Sequence, residues 1–414
     1  MIQDFINNIR DNKNFSSEEK KRREESLNLF IKEGFPSKKI EEWKFTDLNN
    51  IIRENFEELS AKKSLIKNKK IDLINDFEHN FLFLINGILD DYNFKFEEAQ
   101  KFKISEYIDS NNTKIGKTNS LIELNNALFV GGFFLEIHKD YKFKKPLVVY
   151  NYFAECEKNK IVNNKNLIVL NDNSNLDIVD YYFDNSQNNF FQNNYTNLII
   201  GKKASLKNYH IQGCPSKSFN YKYSKSSLTE DSNYESYIFS SGSKFNKAEE
   251  NIDINGEDAK CNVQSSLFLD LESHQEIRTQ INHLKPNCKS YQKIKNVLNE
   301  NSKGAYQGKI FVKDVAQKTD AYQLSKALLL SETSEFNAKP ELEIYADDVK
   351  CSHGSTSGSI NEDSIYYLMT RGIDKKSAVK LLTKAFLFEV VSSISHVDIK
   401  KFVEKNLDRQ IYGH

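Results

Sequence analysis

Residues 346 to 358 read ADDVKCSHGSTSG, which places two carboxylates, a thiol and an imidazole within seven residues. A thiolate and a neutral imidazole are donors for borderline metals such as iron and zinc. In an extended backbone Cys351 and His353 are two apart and project to the same side. Two donors are too few for a closed site, so metal chemistry would need ligands from elsewhere in the chain or from a second chain. The structural alternative makes Cys351 a small buried hydrophobe and His353 a ring bonded to a backbone carbonyl at a turn set by Gly354. Asp347 and Asp348 would either raise the basicity of the imidazole or simply be solvated. Residue types and periodicity leave both readings open.

Other chemistry is sparse. The sequence has no Walker loop, no GxGxxG and no HExxH, so nothing cradles a nucleotide's phosphates or builds that zinc-protease site. The cysteines fall at 156, 214, 261, 288 and 351. Their odd number and wide spacing fit neither a disulfide framework nor a CxxC zinc site and point to a reducing compartment. Cys214 and Cys261 sit in strand-like contexts and are expected to be structural. His210, His274 and His283 are scattered without ligand spacing and are expected to be structural or surface residues.

The elements that must position the 346–358 stretch are legible in outline. With 414 residues, the chain is long enough for two or three structural parts. Lys plus Arg equals Asp plus Glu at 58 each, so no net charge steers it toward nucleic acid or an anionic membrane. The first residues lack the apolar core of a signal peptide, and the apolar runs fall short of the ~20 residues a membrane helix needs. The expected location is the cytoplasm.

Residues 1–119 read as an N-terminal helical domain. SSEEKKRREESLNLFIKEG offers Ser16 or Ser17 as a cap, charge pairs Glu18–Arg22 and Glu19–Arg23, an apolar stripe of Leu27, Phe30 and Ile31, and Gly34 as a stop. Trp43, the only tryptophan, is expected to anchor a turn by packing. Residues 120–360 change to short alternating or β-branched runs broken by Asn, Asp, Ser, Gly and Lys, which are strands. Two echo each other: Asn166 with Leu176, and Asn197 with Leu206. Such self-similarity suits the stacked coils of a β-solenoid, although a sandwich also fits. PELEIYADDVKC alternates as a strand running toward the opening stretch. Residues 361–414 return to helix, with Asn361 and Asp374 as N-caps and Gly372 as a stop. In the helix after Asp374, Ala378, Leu381, Leu382, Ala385 and Phe386 form one stripe, with further apolar residues beyond it; such a helix is sandwiched between neighbours or offers one side to another protein.

Three segments carry a resemblance: EEWKFTDL, KGAYQGKIFVKDVAQKTDAYQLSKALLL, and NAKPELEIYADDVKCSHGSTSGSINEDSIYYLMTRGI. In this order they resemble the SufB and SufD family of iron–sulfur cluster assembly proteins, on its SufD-like side, and the resemblance spans nearly the whole chain. It implies a mainly β fold, a right-handed parallel β-helix flanked by N-terminal and C-terminal helical domains. It also implies pairing with a SufB-like paralogue through the β-helices and binding of a SufC-like ATPase through the C-terminal helices. ATP sites would then belong to the partner, and the chain itself would be a non-enzymatic scaffold. The family's CSHG motif stands here as Cys351, Ser352, His353 and Gly354, with His353 implied as a ligand to iron or a transient cluster at the SufB interface.

Where SufB-like chains carry EHEA this chain reads SHGS, so Gly354 replaces a carboxylate. An ungapped alignment on the leucine run puts the SufB scaffold-cysteine position at Ser325, so the resemblance implies a thiol from the partner. The expected partner-facing set is Ser352 and Gly354 near the motif, and Leu381, Leu382, Ala385 and Phe386 on the helix. On this analogy SufC dimerisation pulls on the C-terminal helices and opens the β-helix pairing. A sulfur donor and a reduced flavin are implied at family level only, and a homodimer is possible when the chain is alone. Two further readings are a polysaccharide-acting β-solenoid enzyme using Asp347 and Asp348, and a purely structural subunit of the assembly complex.

Overall fold

The computed structural model describes residues 1–12, 15–61, 73–108, 119–154, 159–212, 217–240 and 242–413. One sheet contains, from its open edge inward, β19 (Lys350–Ser359), β17 (Asp320–Leu329), β15 (Lys289–Leu298), β13 (Lys260–Leu269), β11 (Asn233–Ser240), β9 (Ser205–Gln212), β7 (Asn175–Asp184) and β5 (Leu147–Phe153). It finishes in a hairpin of β1 (Asn80–Ile85) and β2 (Ile88–Asn93). The second sheet runs β18 (Glu335–Ile344), β16 (Lys303–Val312), β14 (His274–His283), β12 (Phe245–Ile254), β10 (Ser218–Leu228), β8 (Phe190–Ile200), β6 (Lys160–Leu170), β4 (Phe133–Ile137) and β3 (Phe102–Glu106). From β5 on, successive strands alternate between the sheets and pair in parallel, so the chain winds as a β-solenoid of about seven turns. This removes the sandwich.

The register shows why the period is hard to see. Leu176 lies on Leu206, Leu206 on Tyr234, Tyr234 on Cys261, Cys261 on Ser290, Ser290 on Ala321 and Ala321 on Cys351. Counted over both sheets from β5 on, a coil takes between 26 and 32 residues. The Leu176 and Leu206 half of the echo is a true register pair. The Asn166 and Asn197 half is not: Asn166 faces Thr196 and Leu167 faces Asn197, a slip of one residue. One corner of every coil is turned by a residue with positive φ, at Asn173, Lys203, Asp231, Asp258, Asn287 and Lys318. The N–H of each donates to a backbone carbonyl on the next coil, as in Lys203 N to Glu230 O at 2.9 Å. Asn and Asp tolerate this conformation better than most residues, which explains their abundance between the strands.

Helices cover the two outer faces. The N-terminal helices α1 (Ile2–Arg10), α2 (Ser17–Glu33), α3 (Leu48–Asn55) and α4 (Ser120–Leu128) pack with Phe191, Tyr195, Phe219, Tyr221 and Phe245 of the second sheet. Ser16 caps α2 by accepting from Glu19 N, and Gly34 ends it at φ +71°. Leu27 and Phe30 are buried as expected, whereas Ile31 faces solvent. The Glu19–Arg23 pair forms at 3.0 Å, and Arg23 goes on to donate to the carbonyls of Ala127 and Phe129, which pins α2 to α4. Trp43 is fully buried against Tyr221 and Lys247, a packing anchor. The segment read as helical also contributes strands β1 to β3, which extend both sheets.

The C-terminal helices α5 (Glu362–Thr370), α6 (Lys375–Val391) and α7 (Val397–Tyr412) sit on the other side, and α6 and α7 pack on the first sheet's outer face. Asn361 and Asp374 cap α5 and α6 through Ser364 N and Ser377 N. The expected stripe on α6 splits. Its buried side is Ala378, Thr383, Leu387, Val390 and Val391, while Leu381 and Ala385 face solvent and Leu382 and Phe386 lie between. The reason is local chemistry on the sheet: Ser266 Oγ donates to Leu387 O and Lys295 Nζ to Phe386 O, which fixes the helix rotation.

Candidate functional site

At its start the solenoid is extended by the β1–β2 hairpin and β3, and at its other end no strand among the described residues follows β18 and β19. Among the described residues β18 and β19 are the last strands of their sheets, each with one strand neighbour and one edge that no described strand pairs. Pro340, which has no N–H to give a ladder, lies on the β18 edge. Between the two strands the chain turns a corner at residues 345–349, held by Lys318 N to Asp348 O at 2.6 Å and Asp348 N to Gln317 Oε1 at 2.9 Å. Asp347 and Asp348 belong to this corner and are exposed. The alternating strand read from PELEIYADD thus stops at Ile344.

CSHG is a strand rather than a turn. Gly354 lies inside β19, opposite Leu324, and a Cβ there would meet Leu324 Cδ1 at 3.3 Å. That removes the turn on which the structural alternative rested. On β17, Ala321, Gln323 and Ser325 are buried and alternate with less buried residues, which identifies them as inward-facing. Their register partners on β19 are Cys351, His353 and Ser355. Cys351 and His353 therefore share one face, as expected, and that face is the lumen's open mouth. Cys351 is half-buried against Ile310, Val312, Ala316, Ala321 and Ala346, and burial pushes its thiol above the ordinary range. His353 and Ser352 are exposed because no further coil covers them. Ser325 is buried and donates to Ser355 Oγ at 2.8 Å. Among the described residues no group of three or more His, Cys, Asp or Glu converges as a metal site.

Behind this mouth the lumen is polar to a depth that sequence reasoning missed. Gln323 Nε2 donates to Glu341 O, and Tyr306 Oη contacts Gln323 Oε1, Gln292 Oε1 and Thr279 Oγ1 at 3.1 to 3.3 Å. Further in, Glu250 accepts from Tyr234 Oη and Ser236 Oγ at 3.3 Å each. Deeper still, Lys222 Nζ lies 2.5 Å from Asp180 Oδ2 and 2.9 Å from His210 Nδ1, with Asn151 Nδ2 on the other carboxylate oxygen at 2.7 Å. Burial pushes Asp180 up, but the Lys222 charge and the His210 bond outweigh it and hold the carboxyl well below its usual range. Burial, aided by Lys222, holds His210 down at about 4. His210 is thus structural, as expected, but inside a charged cluster rather than scattered. Cys261 is buried as expected, and Cys214 lies outside the described residues. No local motif marks Lys222, Asp180 or Glu250; only the coil register, with its uneven period, brings them together.

These features define a parallel β-solenoid with helical flanks and a donor-bearing open end. Residues 152–386 match the domain described as SUF system FeS cluster assembly, SufBD core domain, and residues 7–149 match the SufBD protein N-terminal region. The chain belongs to the SufBD family. It is 23% identical to the iron-sulfur cluster assembly protein SufD of Escherichia coli K12, covering 94% of this chain and 92% of that protein. It is 25% identical to Bacillus subtilis SufD over 74% of this chain and 70% of the relative. It is 24% identical to the Arabidopsis thaliana protein ABCI7, chloroplastic, over 91% and 83%. The glycan-acting reading has no support in these relatives, and Asp347 and Asp348 build no groove. No helix among the described residues is long and apolar enough to cross a membrane.

Proposed function

We propose that this chain is the SufD-like member of a cluster-assembly complex and supplies half of a coordination pocket from the mouth of its lumen. The observation that carries this reading is the pairing of Cys351 and His353 on the inward face of a strand above which no described strand is stacked. Two unpaired sheet edges frame these donors, and open edges are the surfaces on which another chain adds strands. A SufB-like paralogue docked there brings the missing donors, a thiolate among them, and the nascent iron–sulfur cluster is the cargo built between the chains. Ser352 and Gly354 lie within the contact.

A SufC-like ATPase engages the C-terminal helices. The exposed apolar side chains Tyr366, Tyr367, Met369 and Leu381 support this assignment. Of the α6 residues, Leu381 and Ala385 are available to a partner, with Leu382 and Phe386 at the margin. ATP hydrolysis belongs to that partner, the chain acts in the cytoplasm as a scaffold, sulfur arrives indirectly, and a flavin would bind elsewhere in the complex. The boundaries proposed for the working parts stay at 1–119, 120–360 and 361–414.

The test is the co-purified complex of this chain with SufB-like and SufC-like partners, loaded with iron, sulfide and reductant. His353→Ala is expected to leave the complex assembled and to lower its cluster absorbance and iron content. Unchanged cluster yield would refute the ligand role and leave the chain a structural subunit.

A further inference from the structure

We propose that Gln323 is a positioning residue for the mouth: its side chain crosses the end of the lumen and holds β18 at a fixed gap from the sheet that carries Cys351 and His353. Gln323 lies on β17 as the register partner of His353, and it is fully buried. Its Nε2 donates to the backbone carbonyl of Glu341 on β18 at 3.2 Å, so a side chain of the donor-bearing sheet grips the last described strand of the other sheet. Its Oε1 accepts from Tyr306 Oη on β16 at 3.3 Å. A backbone carbonyl only accepts, so the amide nitrogen must face Glu341 and the amide oxygen must face the tyrosine; both ends fix the orientation of the side chain.

Two further observations separate this bond from ordinary packing. The first is Gly308, which lies opposite Pro340 of β18. A Cβ there would fall 2.2 Å from Tyr306 Oη and 2.3 Å from Gln323 Oε1, so any side chain at 308 collides with both ends of that contact, and the bare backbone is what makes room for the crossing. The second is how little else holds β18. Ala338, Pro340 and Leu342, the register partners of Tyr306, Gly308 and Ile310, are only half-buried. On the outer face Lys339 pairs with Glu41 of the N-terminal turn, whose carbonyl accepts from Gln307 Nε2 at 3.1 Å. That ion pair is largely exposed and weak on its own, which leaves the inner bond to set the gap.

The consequence for chemistry rests on the proposed function. A cluster held between two chains needs donors from both within bonding distance at once, and a partner that adds strands at the open end must match the spacing of the edges it meets. A strand with one neighbour and half-covered side chains opens locally more readily than the coils behind it. Gln323 opposes that opening in His353's own column, and so keeps the frame around the donors constant without being a ligand itself.

Gln323→Met keeps the volume and removes both bonds. Hydrogen-exchange mass spectrometry of the full chain without partner is expected to show the amides of β18, residues 335–344, exchanging about fivefold faster than in wild type, the equivalent of one hydrogen bond, with β14, residues 274–283, unchanged. Gly308→Ala, which displaces Gln323 rather than deleting it, is expected to do the same; Gln323→Met decides the matter if Gly308→Ala does not fold. In the co-purified complex with SufB-like and SufC-like partners, cluster content per assembled complex is expected to fall severalfold in Gln323→Met. Ile281→Val, a mild change in the core two strands further in, controls for general destabilisation and is expected to lower the urea midpoint while leaving cluster content as in wild type. Exchange of β18 as slow as wild type in both variants overturns the grip, and faster exchange with unchanged cluster content in Gln323→Met overturns the positioning role. His353→Ala leaves the exchange of β18 in place, so failure of this inference and failure of the ligand reading give different results.

Discussion

Lys247→Met is expected to unlatch the N-terminal segment from the solenoid before the sheets themselves yield. Lys247 and Glu276 are both fully buried on the outer face of the second sheet, 2.6 Å apart, under the turn that carries Trp43. Lys247 also donates to Glu42 O at 2.6 Å and lies 4.4 Å from the Trp43 ring, while Thr46 Oγ1 donates to Glu276 Oε2 at 2.5 Å. Removing the cation leaves a dry carboxylate with the Thr46 hydroxyl and His274 close by and no opposite charge. Breaking one partner of a buried pair costs about 3–5 kcal/mol, and the lost contact over the ring adds up to ~1. Met fills a similar volume, so little of this is cavity. Glu276→Gln combined with Lys247→Met should cost about 2 kcal/mol less than the sum of the single changes, because Glu276 then carries no charge and the other carboxylate beside Lys247, Glu249, keeps Arg278 at 3.4 Å.

Trp43 is the chain's only tryptophan, so its fluorescence in a urea titration reads the latch, and far-ultraviolet circular dichroism reads the sheets. In the single variant the fluorescence transition should precede the dichroism transition. A shift worth less than about 1 kcal/mol, or strict additivity in the double variant, would refute the reasoning.

Burial holds His283 at about 4, below its ordinary 6.5, and its Nε2 meets Ser290 Oγ at 2.9 Å. The unfolded chain therefore binds a proton that the folded chain does not between these values, and stability falls as pH drops through that window. His283→Gln should flatten the fall by up to ~1.4 kcal/mol per pH unit relative to wild type, and urea midpoints at pH 7, 6 and 5 measure it. Leu387→Ala, at a fully buried position between α6 and the sheet, should cost about 2–5 kcal/mol, and Leu381→Ala on the exposed side less than about 0.5; equal costs would mean that the helix is rotated. Gly132 has φ +126° and a Cβ there would fall 1.7 Å from Lys165 O, so Gly132→Ala should lose soluble folded protein, and normal yield with an unchanged unfolding curve would contradict that geometry.

The readable parts of this fold were those governed by neighbours in sequence. Ser16, Asn361 and Asp374 cap helices because a short polar side chain reaches an N–H three residues on, and that spacing is visible in the chain. The shared face of Cys351 and His353 follows from the two-residue period of a strand. What depends on stacking was hidden. Coils of 26 to 32 residues slide any fixed period out of phase, which is why the Asn166 and Asn197 echo misaligned by one. Asp180, His210 and Lys222 come from three different strands and meet only across the lumen. Gly354 looked like a turn because glycine usually marks one, but the outer face of an uncovered last strand tolerates it. The rotation of α6 was likewise set by Ser266 and Lys295 on the sheet, far away in sequence.

The uneven coils make the solenoid a ruler whose graduations are independent of its ends. Each coil advances the axis by one strand spacing, so about seven turns hold the β1–β2 hairpin and the donor-bearing mouth on the order of 30 Å apart. Deleting or duplicating one coil between matched corner residues would shift that separation by roughly 5 Å while leaving both termini chemically intact. Reach, in such a molecule, can be changed without rewriting what is reached.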